Sequence, residues 1–457
     1  MKRIISAILI LSVLLTAAVF SGCSKEDLSD KQLTVYCTTQ MKKSYEQLFK
    51  YYNSYCLSYS QFGKPYQISF VEFETDEELY KKMTTETMAG GGPDIFLTEQ
   101  YLPFEKMIGA GAFMNIDELL EREGYKIDFS ELNEKVMDSG VWNGKRYILP
   151  IVYSARVMSI YKYSLEAEDM FDKKILSDKN GYTVTYSDIK NMLNYAEKSP
   201  LFNYDSYGLM CNLLYDYMDM KEKKIYFDTD EFKENLEIVK KLHEYEVKRE
   251  EKMRYMDEDE LWDVNDPLFS NSQESFIDFM GRYLCDYTEE SFFPYYSEES
   301  EQCNVLYKGV SKDKTDNRGN IDLGIAINKN TKQGKKICEF IKFSLSNLGQ
   351  SHMTSPYNGF AFGSSFPVNK KTFEKRLRNA MEFEFVGGDV FKNHDSEMFN
   401  TYVEIARSVD DCGLYSGSSY YTTSIVGELI EQYLNGKLPQ NKFIRQLTSA
   451  TKFYLEE

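Results

Sequence analysis

The sequence predicts an α/β fold, and two observations carry the prediction. In the N-terminal third, β-branched and aromatic runs alternate with segments whose apolar residues recur at helical spacing. Capping residues, glycines and a proline mark the joins between them. With 457 residues, the chain is long enough for two or three compact lobes with cores of their own.

LTVYC, Leu33 to Cys37, is the first strand. Tyr45, Leu48, Phe49, Tyr52 and Cys56 then form one helical stripe. YQISFVEFE, Tyr66 to Glu74, is the second strand. Thr75 and Glu78 make a capping box for a helix carrying Leu79, Tyr80, Met83 and Met88. DIFLT, Asp94 to Thr98, is the third strand. Strand, helix, strand, helix, strand implies parallel pairing and right-handed crossovers.

Gly90 to Gly92 pose a choice between a phosphate cradle and a helix stop. A phosphate loop follows a strand and opens a helix, so that the helix N-terminus faces the anion. Here the order is helix, glycines, strand, and no Lys-Ser/Thr pair follows. Gly90 is read as a helix C-cap, and Pro93 as the block on continuation.

Ligands of open parallel sheets meet the loops beyond the carboxyl ends of the strands. The first strand delivers Thr38, Thr39 and Gln40 to that edge, and the third delivers Glu99, Gln100 and Tyr101. Further on, Asn143-Gly144 is a hairpin dipeptide, and Pro150 with the run Ala155–Tyr161 suits a passage between lobes. Ser187 is read as the N-cap of a helix with an Ile189, Met192, Leu193, Ala196 face. A helix over 231–244 carries Phe232, Leu236, Val239 and His243 on one stripe, and His243 is read as a satisfied core histidine. The acidic run Asp257–Asp266 lacks the central glycine of a calcium loop and is read as solvated.

Composition narrows the function. The net charge of −18 argues against gripping nucleic acid or an anionic membrane surface. Three histidines far apart give little support for zinc or general-base chemistry, and no metal or cofactor is expected. At the N-terminus, Lys2 and Arg3 precede an uncharged run, Ile4 to Phe20, and then Ser21, Gly22 and Cys23. This resembles the bacterial lipoprotein signal, in which that cysteine is lipidated after cleavage. Residues 1–22 are then a signal peptide and 23–32 a tether to the outer face of the cell membrane, an uncleaved anchor being the alternative. Removing Lys2 and Arg3 takes the formal charge from −18 to −20. The seven remaining cysteines show no C-x-x-C spacing, and their odd number implies a free thiol.

Several segments together resemble the extracellular solute-binding proteins of ABC importers, the branch that includes many carbohydrate binders. They are the lipoprotein signal, GGGPDIF, NGKRYILPIVYSARVMSIY, LGIAINKNTKQGKKICEFIKFSLSNLGQS, FPVNKKTF and the terminal LNGKLPQNKFIRQLTSATKFYLEE. The resemblance implies a two-lobed α/β fold of the periplasmic-binding-protein type II, with the ligand in a cleft between lobes joined by hinge crossovers. It divides the chain into lobe 1, residues 33–152 and 300–352, and lobe 2, residues 153–299 and 353–457. Carried over position by position, it implies ligand contacts from Thr39, Gln40, Glu99, Gln100, Tyr153 and Arg156. Tyr283 stands where an aromatic often stacks on the ligand, although GRY departs from the usual Gly-Pro-Trp, and Tyr415 follows from the second lobe. A sugar wants a flat ring below and fixed polar groups around it. Because the chain has 36 Tyr and 2 Trp, Tyr has to supply the ring, and Trp142 is read as packing.

The expected function is therefore a monomeric, lipid-anchored, non-catalytic protein that captures an oligosaccharide and delivers it to importer membrane subunits. A ligand sensor for a membrane receptor uses the same closure. A surface glycan hydrolase with two carboxylates is the alternative from the enzyme class.

Overall fold

The computed structural model describes residues 32–98, 102–155, 157–161, 165–179, 181–198, 202–255, 269–271, 304–312, 317–354, 365–384, 390–392, 397–409, 411–413 and 419–456. The first strands and helices follow the sequence closely: β1 (Leu33–Thr38), α1 (Thr39–Ser58), β2 (Ile68–Phe73), α2 (Asp76–Met88) and β3 (Ile95–Leu97). The stripe Tyr45, Leu48, Phe49, Tyr52, Cys56 is buried along its whole length, and Thr75 Oγ1 accepts the Glu78 N–H at 3.2 Å to start α2.

The glycine run ends α2. Gly90 adopts φ +90°, the Gly91 N–H reaches back to Glu86 O at 2.8 Å, and the Gly90 N–H reaches Thr87 O at 3.1 Å. These two bonds form the left-handed C-terminal motif that satisfies a helix's last carbonyls. Buried Asn328 secures the turn by donating from Nδ2 to Gly91 O at 2.7 Å and to Pro93 O at 2.8 Å. The glycines serve the backbone.

After α3 (Phe104–Gly109) and α4 (Glu134–Asp138), a hairpin of β4 (Val141–Trp142) and β5 (Lys145–Arg146) leads into β6 (Ile148–Ala155). Asn143 and Gly144 take φ of 50° and 72°, as a two-residue turn of that hand requires. The chain then builds a second sheet from β7 (Val157–Tyr161), β8 (Tyr182–Thr185), β9 (Phe202–Tyr204), β10 (Phe269–Asn271) and β11 (Asn304–Ser311). Helices α5 (Tyr186–Lys198), α6 (Ser206–Asp216) and α7 (Asp230–Met253) belong to this part. It returns as β12 (Arg318–Ile327), α8 (Gly334–Leu345), β13 (Phe366–Pro367), α9 (Glu397–Arg407) and β14 (Asp411–Gly413), and ends with α10 (Gly427–Leu434) and α11 (Gln440–Glu456). The cap of α5 is Thr185, not Ser187: the Asp188 carboxylate accepts the Thr185 N–H at 2.9 Å, and Thr185 Oγ1 accepts the Asp188 N–H at 3.3 Å.

The first sheet has the order β13-β6-β12-β3-β1-β2, with β14 also beside β12. β1 pairs parallel with β2 and β3, whereas β12 runs antiparallel to β3 and β6. The second sheet has the order β8-β11-β7-β10-β9. Two separate hydrophobic cores accompany the sheets. One contains buried residues between Leu33 and Ala155 and between Ile321 and Cys412; the other runs from Met170 to Val310 and from Tyr421 to Leu455. The lobe boundaries expected at 300 and 352/353 therefore fall elsewhere. β11 pairs inside the second sheet, and Phe366, Phe373 and Val403 to Cys412 pack in the first core. The chain passes between the lobes three times, after Ala155, Ser311 and Gly413.

Asn328→Ala removes the donor to two carbonyls at the glycine turn, that of Pro93 buried, a loss of about 2 kcal/mol. Denaturant unfolding is expected to show a lower midpoint at unchanged slope.

Candidate functional site

β6 is antiparallel to β12, and β12 is antiparallel to β3, so β1, β3 and β6 all end at one edge of the first sheet. β6 leaves that edge almost directly into β7 of the second sheet. The second lobe thus faces the carboxyl ends of the first lobe's parallel strands, where ligands of open α/β sheets bind.

Side chains from both lobes meet along this edge. The Tyr80 and Tyr420 rings lie 4.5 Å apart. Lys106 Nζ sits 4.4 Å above the Tyr454 ring, and Lys221 Nζ 4.7 Å above that of Trp142. The Arg318 guanidinium is paired with the buried Asp216 carboxylate, and Lys312 Nζ donates to Asp216 O. A cavity of about 450 Å³ opens beside these groups, lined by Ser139, Trp142, Arg318 and Gly319 from one lobe and Tyr215, Asp216 and Lys221 from the other. Its size is that of small-molecule sites. Trp142 is packed and also forms part of this wall.

The segment joining the lobes has two faces, because successive side chains of a strand point to opposite sides. Tyr153 in β6 points into the first core and is 1 % exposed. Its hydroxyl accepts from Asn133 Nδ2 at 3.3 Å and donates to Ala406 O at 3.4 Å, toward α4 and α9. Ser154 points the other way and donates from Oγ to Asp322 Oδ1 at 2.9 Å. Burial pushes the Asp322 carboxyl up to about 6, against the pull of hydrogen bonds from Ser365 and Ser154.

The site residues named from sequence are placed as follows. Thr39 does not lie in a loop: Thr38 caps α1 by accepting the Met41 N–H at 3.4 Å, so Thr39 and Gln40 form its first turn. Thr39 is exposed and donates from Oγ1 to Phe73 O at 3.3 Å. Tyr153, expected in the cleft, is a core residue whose hydroxyl is engaged on protein groups. Thr39 and Tyr153 are not brought together. Glu99, Gln100, Arg156, Tyr283, Tyr415 and the lipidation residue Cys23 lie outside the described residues, as does the whole acidic run Asp257–Asp266.

Sequence reading missed Asp216, Arg318 and Asp322. The one available signal was a lone carboxylate in the apolar run IDLGIAI. His243 is only partly satisfied: Nδ1 lies 2.9 Å from Ser206 Oγ and 3.5 Å from Glu246, and the buried Nε2 has no hydrogen-bond partner among the described residues. Ser206 is itself buried at the start of α6, which suits a structural role. Among the described residues no cluster of three His, Cys, Asp or Glu could hold a metal ion, and Cys37, Cys56, Cys211, Cys338 and Cys412 are buried thiols without a disulfide. No described helix is long and apolar enough to cross a membrane.

Two α/β lobes, three crossings and a walled space between them define a two-lobed protein of the periplasmic-binding-protein type. The model for bacterial extracellular solute-binding proteins matches residues 40–351, more than half of the chain, and the protein belongs to that family. No curated protein matches it in sequence. Solved structures of similar fold include the sugar-binding protein MalE from Xanthomonas citri, with a TM-score of 0.58, 12% identity and coverage of 93% of this chain and 98% of that one. The ABC substrate-binding protein Lmo0181 from Listeria monocytogenes, in complex with cycloalternan, aligns with a TM-score of 0.55 at 12% identity, covering 93% and 98%. The GacH receptor of Streptomyces glaucescens, solved unliganded and with acarbose, aligns at 0.55 and 13% identity, covering 93% and 99%.

Two outcomes follow for stability. Arg318→Met strips a buried carboxylate of its guanidinium and lowers unfolding free energy by about 2 kcal/mol, read by denaturant melts. The raised Asp322 carboxyl holds a proton in the folded state that the unfolded chain releases between about pH 4 and 6, so stability falls as pH rises through that window. Asp322→Asn is therefore more stable than wild type by about 2 kcal/mol at pH 8, and the gain vanishes below pH 4.

Proposed function

We propose that the protein is a lipid-anchored, extracytoplasmic solute-binding protein that captures an oligosaccharide between its lobes and delivers it to an ABC importer. The observation that carries this reading is the interlobe edge, where aromatic rings and cationic side chains from the two lobes line one space together with the buried Asp216 carboxylate. Rings beside fixed polar groups match the apolar faces and hydroxylated rims of sugars. The bound or named ligands of proteins with this fold are sugars: cycloalternan for the Listeria protein, acarbose for the Streptomyces receptor.

In this reading the two cores are two lobes that close on the solute. Each lobe supplies part of the contacts, so complete burial occurs only in the closed state. A ligand favours closure only through its differential affinity for the two states, and a nearly complete switch needs roughly 5 kcal/mol of it. Glu99 and Gln100 follow Thr98 at the carboxyl edge, and Arg156 lies within the first crossing, so these remain proposed contacts, with Gln40, Tyr283 and Tyr415. Cys23 supplies the lipid attachment, residues 24–32 the tether, and the protein acts as a monomer without a cofactor.

Thermal unfolding of the domain from Ser24 onward, against acarbose, maltotetraose, chitotetraose, short peptides and polyols, tests the carbohydrate reading. A sugar at a hundredfold its Kd adds about 2.7 kcal/mol of stability. Silence toward sugars with a response to peptides or polyols overturns it. Lipidation is read separately: palmitate label incorporated by the full chain in bacterial cells is expected to disappear in Cys23→Ala, and its persistence contradicts the anchor.

A further inference from the structure

Both ends of the second crossing are fastened to one residue of the second lobe. Asp216 is the last residue of α6 and is buried, although an anion is disfavoured at a helix C-terminus. A buried carboxylate in that position needs a cation, and the other lobe supplies it. Arg318, the first residue of β12, donates to Asp216 Oδ1. The backbone carbonyl of Asp216 is among the last four of α6, which have no partner within the helix. Lys312 meets that need: Nζ donates to Asp216 O and lies 5.2 Å from the centre of the Tyr217 ring. Lys312 directly follows β11 and Arg318 opens β12, so the two cations flank the crossing and meet at one residue.

The partners of the ion pair belong to different lobes. α6 is anchored in the second core by Leu209, Leu213 and Leu214. Arg318 is held in the first sheet, where the start of β12 lies between β6 and β14: Gly319 pairs with Ala155 on one side and with Cys412 on the other. Gly319, Cys412 and Gly413, all at the crossings, line the cavity beside the pair. Any rotation of one lobe against the other therefore carries the end of α6 past the start of β12. A link this close to the crossings sweeps a shorter arc than one at the lobe tips, so it survives a rotation that separates more distant contacts.

We propose that Asp216 is the pivot of the hinge, a positioning residue that holds Lys312 and Arg318 together and so confines the lobes to one path of rotation. This rests on the hinge-closing reading and not on the identity of the solute. Without the pivot the crossings still join the lobes, but the lobes sample a wider range of separations. Capture of a solute then has to order that range, and affinity falls.

Double electron–electron resonance reads the range directly, with spin labels on unnatural residues placed at Leu57 of the first lobe and Glu244 of the second, both exposed. The full set is wild type, Asp216→Asn, Lys312→Met, Asp216→Asn with Arg318→Met, and Asn328→Ala. Asn328 lies just beyond the far end of β12, so its variant is a destabilised control away from the crossings. In the protein without solute, Asp216→Asn is expected to widen the distance distribution about twofold, and Lys312→Met to widen it less. The double variant widens it no further than Asp216→Asn, because the two groups act as one link. Asn328→Ala keeps the wild-type width. Should Asp216→Asn fail to fold, Lys312→Met, at an exposed side chain, carries the test. Unchanged width in both variants overturns the pivot while hinge closure stands, and so does equal broadening in Asn328→Ala. A wild-type distribution that does not move when a bound sugar saturates the protein removes hinge closure and this inference with it.

Discussion

The antiparallel pairing of β6 with β12 is the constraint on which the rest of the molecule depends. It runs from Ile148 opposite Ala326 to Ala155 opposite Gly319, and β6 is buried from end to end. One ladder thereby joins two segments far apart in sequence and places two crossings between the lobes side by side. The backbones approach so closely that a Cβ at Gly319 would meet Ser154 O at 2.6 Å and Cys412 Sγ at 2.9 Å. Inserting β12 between β6 and β3 also completes the first sheet. The slip in the ladder then sets Asp322 apart from the regular pairs.

The abundance of tyrosine finds its explanation mainly in the cores. Tyr52, Tyr307, Tyr421 and Tyr433 bury their rings almost completely and still satisfy their hydroxyls, donating to Phe62 O, Ser177 O and Glu237 Oε1 or bonding Thr451 Oγ1. A buried tyrosine supplies a large apolar surface and one polar handle that needs a partner. Burial pushes these phenols well above their ordinary range, so they stay neutral. Tyrosine count alone is thus weak support for sugar stacking. The stronger support is position: Tyr80 and Tyr420 from different lobes meet at the interlobe edge.

How much was legible in the sequence depended on the range of the interaction involved. Caps and stops are local, so Thr75 with Glu78, the Gly90 turn and the Asn143-Gly144 hairpin could be read directly. At α5 two hydroxyl residues competed for the cap, and the reciprocal bonding of Thr185 with Asp188 decided it. Lobe boundaries rest on long-range pairing, here β11 with β7 and β8, which no local pattern specifies. In β6 the period of two separates Tyr153 from Ser154 but does not say which faces the core. The larger ring took the side facing α4 and α9, and the small hydroxyl, buried as well, met Asp322. The carboxyl-edge argument located the facing edge, whereas Asp216 and Arg318 became partners only through folding.

The central claim is that a solute binds between two lobes that move on the crossings. Small-angle X-ray scattering of the domain from Ser24 onward, with and without a sugar already shown to stabilise it, tests this directly. Hinge closure predicts a smaller radius of gyration and a shorter maximum dimension in the bound state. An unchanged scattering profile at saturation, with the sugar demonstrably bound, would contradict it.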